Sequence, residues 1–186
     1  MPFSQSSQIS AIVGTVEQLR PQSILDVGTG MGMYGVLLRT NLENINLFDV
    51  QGTLVRRKTK EEWSITIDGI EGYAGYLTPV HDYAYNRIQI GNALELLPQI
   101  PTGAYELVMA IDILEHFTTE EGERFLAECK RIARRMALIS TPKDFIEQHV
   151  EANPFEDHKS LWTLPQLQAL GYVNTVANAE SWIVTT

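Results

Sequence analysis

Three glycines occupy alternate positions in the stretch ILDVGTGMGMYG, which begins at Ile24. Gly28, Gly30 and Gly32 follow a short apolar run, and glycine lets a chain turn sharply and lets a ligand approach the main chain where a β-carbon would collide. The next residues, MYGVLLRTNL, predict a helix whose first turn offers N–H groups and a positive dipole end. This pattern predicts a binding loop for a ligand with polar or anionic groups.

Two carboxylates accompany this loop. Asp26 ends the preceding apolar run, where it can support the loop or contact a ligand ammonium directly or through water. Glu71 ends the stretch ITIDGIE, and an acid at the tip of the second strand of a βαβ unit can accept both hydroxyls of a ribose. Asp68 and Asp49 compete for this role, but Asp68 lies earlier in the strand and Asp49 falls in a less regular segment. We therefore predict Glu71 as the ribose ligand.

The glycine spacing departs from the dinucleotide-binding fingerprint G-x-G-x-x-G. Met33 stands where the third glycine should fall, and that fingerprint does not call for an acid at Asp26. These departures disfavour a nicotinamide-dependent oxidoreductase, which stays open as an alternative. Neither G-x-S-x-G nor G-x-x-x-x-G-K-[ST] occurs in the sequence, which disfavours an α/β-hydrolase and a P-loop nucleotide-binding protein.

Composition limits the class of protein. The chain has 186 residues, 44% of them hydrophobic, which predicts a single globular domain over residues 1–186. The formal charge of −9 disfavours a surface that neutralises nucleic-acid phosphates. One cysteine, Cys129, allows no intramolecular disulfide, and no apolar run reaches the roughly 18 residues of a membrane span. We therefore predict a cytoplasmic protein that is not inserted in a membrane.

Short apolar runs alternate with helical periodicity along the chain. Strands are predicted at 23–27, 63–71, 87–90, 105–111, 136–140, 172–176 and 182–185, and helices at 7–19, 33–42, 92–97, 118–135 and 163–170, with partial helix over 73–85. This alternation favours an α/β fold, with a doubly wound, mostly parallel sheet and helices on both faces. Thr118 and Glu121 form a possible capping box, and Cys129 falls on the inner face of that helix.

The segment from Asn44 to Lys60 contains a possible strand, a Gln-Gly turn and four basic residues: Arg56, Arg57, Lys58 and Lys60. Such a charged segment is typical of a solvated hairpin or loop. A role facing the substrate is the alternative.

Four stretches, ILDVGTGMG, IDGIE, GNALELL and AIDILEHF, together resemble the successive motifs of the class I S-adenosylmethionine-dependent methyltransferases. The resemblance covers about residues 23–142. It implies a Rossmann-like fold with seven strands, one of them antiparallel, and a cofactor across the carboxyl ends of the first strands. The ribose acid usually follows the glycine loop by about 20 residues. Its larger separation here implies an inserted segment at about residues 44–62.

The resemblance also assigns residues to the cofactor, S-adenosylmethionine. Its methionine moiety is placed against Asp26, Gly28, Gly30 and Gly32, its ribose against Glu71, and its adenine near Gly91, Asn92 and Ala93, with Asp112 facing the methionine end. The Asn92 amide is expected to read the adenine amine. Many family members have an aspartate where this chain has Asn92.

Methyl transfer depends on alignment of donor and acceptor, and a base is needed only where the acceptor must lose a proton. His116 and His158 are the candidate catalytic residues, with hydrogen bonding to a neighbouring carboxylate or main chain as the alternative for His116. His81 and His149 lie in no motif that suggests a catalytic or binding role. The histidine spacings match no metal motif, so no metal site is predicted.

The acceptor is not specified by any motif. With no recognisable substrate domain, we expect a small molecule first, a protein side chain second and nucleic acid third. A non-catalytic cofactor-binding or regulatory module of the same fold stays open, and so does the oligomeric state.

Overall fold

A seven-stranded sheet forms the centre of the protein, in a computed structural model that describes residues 6–186. Its strands are β1 (Ser23–Val27), β4 (Thr66–Glu71), β5 (Arg87–Ile90), β6 (Tyr105–Ile111), β7 (Ala133–Pro142), β8 (Asn174–Val176) and β9 (Ser181–Thr185). They lie in the order β5-β4-β1-β6-β7-β9-β8. The pairs from β5 to β7 are parallel, and β9 is antiparallel to both of its neighbours. The predicted mostly parallel sheet with one antiparallel strand is therefore confirmed.

Helices cover both faces of this sheet. They are α1 (Ile9–Leu19), α2 (Met33–Glu43), α3 (Pro79–Ala84), α4 (Ala93–Leu96), α5 (Thr119–Ile132) and α6 (Leu164–Ala169). One core contains Ile12, Leu38 and Tyr85 from the region of α1 to α3, and the other contains Phe125 and Leu167 from α5 and α6. Because strand side chains alternate between faces, Ile24 of β1 joins the first core and its neighbour Leu25 joins the second. The doubly wound arrangement is confirmed, and Cys129 lies buried in the second core as predicted.

The parallel register brings four strand ends to one edge. Val27 at the end of β1 pairs with Ile70 of β4 and with Ala110 of β6, and Glu71 pairs with Ile90 of β5. The loops that follow these strands therefore meet at the carboxyl edge, which is where open α/β sheets bind ligands.

Helix α5 begins as the sequence predicts and ends earlier. The Thr118 hydroxyl accepts from the Glu121 N–H at 3.3 Å, and the Glu121 carboxylate accepts from the Thr118 N–H at 3.0 Å. The predicted end at Arg135 is wrong, because the chain becomes extended at Ala133 and enters β7. Arg134 and Arg135 do not complete the helix but form ion pairs with Glu106 of β6, at 2.7 and 3.1 Å.

A separate hairpin occupies the segment rich in basic residues. Strands β2 (Phe48–Gln51) and β3 (Leu54–Arg57) pair only with each other in an antiparallel sheet. Arg56 forms ion pairs with Asp49 at 2.8 Å and Glu62 at 2.7 Å. The expected solvated hairpin is present. None of the helices within residues 6–186 combines the length and apolar character that crossing a membrane requires.

Candidate active site

A cavity of about 510 Å³ lies at the carboxyl edge of the sheet. The loops that follow β1, β4, β5 and β6 form its floor, and the segment between β7 and α6 contributes one wall. Its size is within the range of small-molecule sites. Predicted site residues that line it are Gly28, Gly30, Glu71, Gly91, Asn92, Ala93, Asp112, His116 and His158.

The glycine loop is held by the neighbouring strand β4. Gly28 and Gly32 have φ of 80° and 84°, in the left-handed region that glycine adopts at little cost. The N–H groups of Gly28 and Thr29 both donate to the Ile70 carbonyl, at 2.8 and 3.2 Å, and the Gly30 N–H donates to the Glu71 carboxylate at 2.8 Å. These N–H groups therefore fix the shape of the loop and point to β4.

Glu71 connects the loop to the cavity. Its Oε2 accepts from the Gly30 N–H and from the Thr29 hydroxyl, the latter at 3.3 Å, and its Oε1 accepts from the Tyr73 N–H at 2.9 Å. Burial raises the pKa of Glu71, and these hydrogen bonds counteract part of that effect. Each carboxylate oxygen has about two acceptor sites, so Oε1 keeps capacity for a ligand hydroxyl.

The two competing acids lie elsewhere. Asp68 accepts hydrogen bonds from the Tyr105 hydroxyl at 2.7 Å and from Arg87 at 3.0 Å, and it does not line the cavity. Asp49 lies in the exposed hairpin. Of the three acids, only Glu71 lines the cavity.

Asp26 lies beneath the glycine loop. The Tyr85 hydroxyl donates to its Oδ2 at 2.6 Å and accepts from the Gly35 N–H at 3.1 Å. Burial raises the pKa of Asp26 to about 7. Asp26 and Gly32 are absent from the cavity lining, so the observed contacts of Asp26 are structural ones that tie α2 to α3 and β1.

The next strand end supplies Gly91, Asn92 and Ala93. Asn92 caps the short helix α4, since its Oδ1 accepts from the Leu94 N–H at 3.0 Å. The Gly91 N–H donates to the Glu71 carbonyl at 2.9 Å. The Asn92 oxygen has a second lone pair, so capping does not remove its capacity to accept from a ligand amine.

Asp112 follows β6 with a φ of 51°, which is uncommon for a residue other than glycine. Gln8 donates to its Oδ2 at 2.5 Å, and the Ser140 hydroxyl donates to its Oδ1 at 3.4 Å. The N-terminal part of the chain therefore helps to orient an acid that lines the cavity. Gln8 carries no sequence signal for this role, since its partner lies 104 positions away.

Tyr34 is a second residue that the sequence analysis missed. Its side chain lines the cavity and is 6% exposed, and its buried hydroxyl has no hydrogen-bond partner within residues 6–186. Burial raises its pKa, and the negative charges of Asp112 and Asp26 add to the effect. An unpaired buried hydroxyl is costly, so this atom is suited to a ligand polar group.

His116 and His158 lie next to each other in the lining of the cavity. Their ring centroids are 4.9 Å apart. The Nδ1 of His116 lies 3.3 Å from the Asp157 carbonyl oxygen, and the Nδ1 of His158 lies 2.5 Å from the Ile146 carbonyl oxygen. Burial and the neighbouring His158 lower the pKa of His116.

Glu115 completes this group, and the sequence analysis did not identify it. The side chain is 5% exposed, and burial, followed by the charge of Asp112, raises its pKa to about 8. The Thr141 hydroxyl donates to its Oε2 at 3.1 Å. One ligand atom from each of Glu115, His116 and His158 lies within 4.8 Å of the other two.

The segment between β7 and α6 is attached to both ends of the cavity. The Lys159 N–H donates to the Glu115 carbonyl at 2.8 Å, and the Asn153 amide donates to the Tyr76 hydroxyl at 3.2 Å. Tyr76 and Phe155 line the cavity with it. These contacts place His158 opposite His116, an arrangement that only the folded chain specifies.

The sequence matches no protein-family model and no curated protein. It is similar in structure to a SAM-dependent methyltransferase from Aquifex aeolicus, with a TM-score of 0.59, 13% identity and coverage of 98% of this chain and 93% of that chain. A SAM-dependent methyltransferase from Archaeoglobus fulgidus gives a TM-score of 0.59, 12% identity and coverage of 95% and 92%. An O-methyltransferase family protein from Burkholderia thailandensis gives a TM-score of 0.63 and 12% identity over 95% of this chain. This chain spans 55% of the length of that protein.

The strand order, the single antiparallel strand and the cavity at the carboxyl edge agree with these similarities. Structural similarity at sequence identities this low shows that the fold is shared, and nothing more. The chain has the fold of the class I S-adenosylmethionine-dependent methyltransferases.

Proposed function

We propose that this protein is a methyltransferase that binds S-adenosylmethionine in the cavity at the carboxyl edge and transfers its methyl group to a small molecule. The observation that carries the proposal is the lining of this cavity, which combines the glycine loop, Glu71, Asn92 and Asp112 from four successive strand ends. Glu71, Asn92 and Asp112 each supply a polar group for a sulfonium nucleoside with an amino-acid tail, and the glycine loop lines the same cavity.

The polar groups present fit such a ligand. Glu71 Oε1 keeps acceptor capacity for one ribose hydroxyl, and Asn92 lies at the next strand end for the adenine. Tyr34 offers a buried hydroxyl without a partner in the described chain, in the field of Asp112, where the methionine end belongs. Asp26 supports this end of the loop from below, through Tyr85.

When bound, S-adenosylmethionine supplies an electrophilic methyl group on a positively charged sulfur. The chain contributes alignment, because the loop is fixed by β4 before a ligand arrives. His116 and His158 lie in the part of the cavity that is left for the acceptor, where an imidazole can hold or remove an acceptor proton. We propose His116 and His158 as the catalytic residues.

A small-molecule acceptor suits a cavity of this size. The net charge of −9 disfavours nucleic acid, and a protein side chain is the second candidate. We propose a cytoplasmic location, since the one cysteine is a buried free thiol. A non-catalytic module of the same fold would use the same cavity without turnover, and a nicotinamide-dependent oxidoreductase is the less favoured alternative.

Calorimetry on the full chain tests the binding step. S-Adenosylmethionine and S-adenosylhomocysteine should each bind with one site per chain, and NAD should not bind. Binding of NAD alone would refute the proposal. Binding without consumption of the methyl donor across a broad acceptor panel would favour the non-catalytic module.

A further inference from the structure

We propose that Glu115, His116 and His158 form a binding site for a divalent transition-metal cation at the acceptor end of the cavity. Two imidazoles and a carboxylate are a ligand set that binds such cations. Their ligand atoms all lie within 4.8 Å of one another, and ligands at about 2.1 Å from one tetrahedral cation are about 3.4 Å apart. Small side-chain rotations therefore bring the three onto one ion.

The main chain orients both imidazoles for this task. The Nδ1 of His116 faces the Asp157 carbonyl and the Nδ1 of His158 faces the Ile146 carbonyl. A carbonyl oxygen only accepts, so each Nδ1 carries the hydrogen, and in the neutral ring Nε2 keeps its lone pair. Metal-binding histidines are usually held in this way, with the second nitrogen donating to a carbonyl or carboxylate.

Glu115 supplies a buried carboxyl group to the same place. Its side chain is 5% exposed, and no lysine or arginine in the described part of the chain forms an ion pair with it. The Thr141 hydroxyl holds Oε2 at 3.1 Å. Buried carboxylates are normally paired or bound to metals, and a cation between Glu115 and the histidines would displace the carboxyl proton and take that place.

Three protein ligands leave coordination positions open for a substrate. All three residues line the cavity, so an oxygen of the acceptor can reach these positions. A bound hydroxyl releases its proton to solvent more readily, because the cation stabilises the resulting oxyanion. With the cation bound, His116 and His158 therefore act as ligands and not as bases. The site therefore indicates an acceptor that presents a hydroxyl group. This part of the inference rests on the proposed function.

Titration of the chelator-treated full chain with Co²⁺ tests the site, by calorimetry and by the visible absorption of the bound ion. We expect one Co²⁺ per chain, with His158→Ala and His116→Ala each weakening binding by at least about tenfold. The matched control is His149→Ala, because His149 lies on the same segment, 3.0 Å from Asp157, and outside the cluster. It should bind Co²⁺ as the unchanged protein does.

Two further measurements keep failures distinguishable. S-Adenosylhomocysteine binding by the metal-free chain reports on the proposed function and on folding of each variant, because the glycine loop, Glu71 and Asn92 end or follow other strands than the three metal ligands do. Relaxation of water protons by bound Mn²⁺ should show an exchangeable water, as open coordination requires. Absence of stoichiometric Co²⁺ binding, binding unchanged in His158→Ala, or a Mn²⁺ ion without exchangeable water would overturn the proposal.

Discussion

Replacing Glu71 by glutamine tests whether this acid is the ribose ligand. In the structure Oε2 accepts from the Gly30 N–H at 2.8 Å and Oε1 accepts from the Tyr73 N–H at 2.9 Å. Glutamine has one carbonyl oxygen, so its amide nitrogen must face one of these N–H donors. One hydrogen bond is therefore lost, and the remaining acceptor is neutral.

The expected magnitude follows from these contacts. A hydrogen bond to a charged group contributes about 1.5 to 3 kcal/mol. Loss of one such bond to a ribose hydroxyl corresponds to binding of S-adenosylhomocysteine that is about 10- to 150-fold weaker. The variant should also unfold at a lower temperature, because the loop loses part of its attachment to β4.

Calorimetry with S-adenosylhomocysteine measures the affinity, and thermal unfolding without ligand measures the stability. The matched control is Asp68→Asn, which changes a buried acid of the same strand whose partners are Tyr105 and Arg87 and which does not line the cavity. It should lose stability and keep its affinity. Unchanged affinity in Glu71→Gln, or an equal loss in Asp68→Asn, would refute the assignment to Glu71.

Two further predictions concern stability. The pKa of Asp26 is raised from 3.8 to about 7 in the fold, so the folded state holds a proton that the unfolded state releases. The contribution of Asp26 to the free energy of unfolding should therefore fall by a few kcal/mol as pH rises from about 4 to about 7. Urea denaturation of Asp26→Asn should show a smaller slope with pH than the unchanged protein, in which Glu115 and Glu71 add their own shares; an equal slope in the variant would contradict the burial argument. Thr118→Ala removes the N-cap of α5 and should cost about 1 kcal/mol in urea denaturation, with Thr119→Ala as the control; equal losses would argue against the cap.

Local patterns predicted most of the elements. A parallel strand that is covered on both faces buries nearly all of its side chains, so an apolar run such as Tyr105–Ile111 is typical of a central strand. The run can be recognised without knowing which strands lie beside it. The glycine loop was predictable too, since its backbone conformation is a local property. The end of α5 was not, because pairing with β6 and the Glu106 ion pairs override the helical tendency of Arg134 and Arg135.

The residues proposed to bind the cofactor fall at strand ends, and a parallel sheet must gather such ends at one edge. Strand-end reasoning therefore placed Glu71 near the loop, and the resemblance to the methyltransferases placed Asn92 and Asp112 there. It did not reveal that Glu71 fixes the loop through Gly30, because the direction of an N–H depends on the neighbouring strand. The position of Asp26 under the loop, bonded to Tyr85, was equally hidden.

The sequence by itself determined the alternation of strands and helices, the glycine loop and the acids at the strand ends, because each depends on neighbouring residues. The tertiary structure alone decided that Gln8 reaches Asp112, that the Tyr34 hydroxyl is buried beside it, and that His158 meets Glu115 and His116. These contacts join distant segments. No periodicity or spacing records them, since the segment before α1 brings Gln8 to Asp112 and the segment after β7 brings His158 to Glu115 and His116 only in the folded chain.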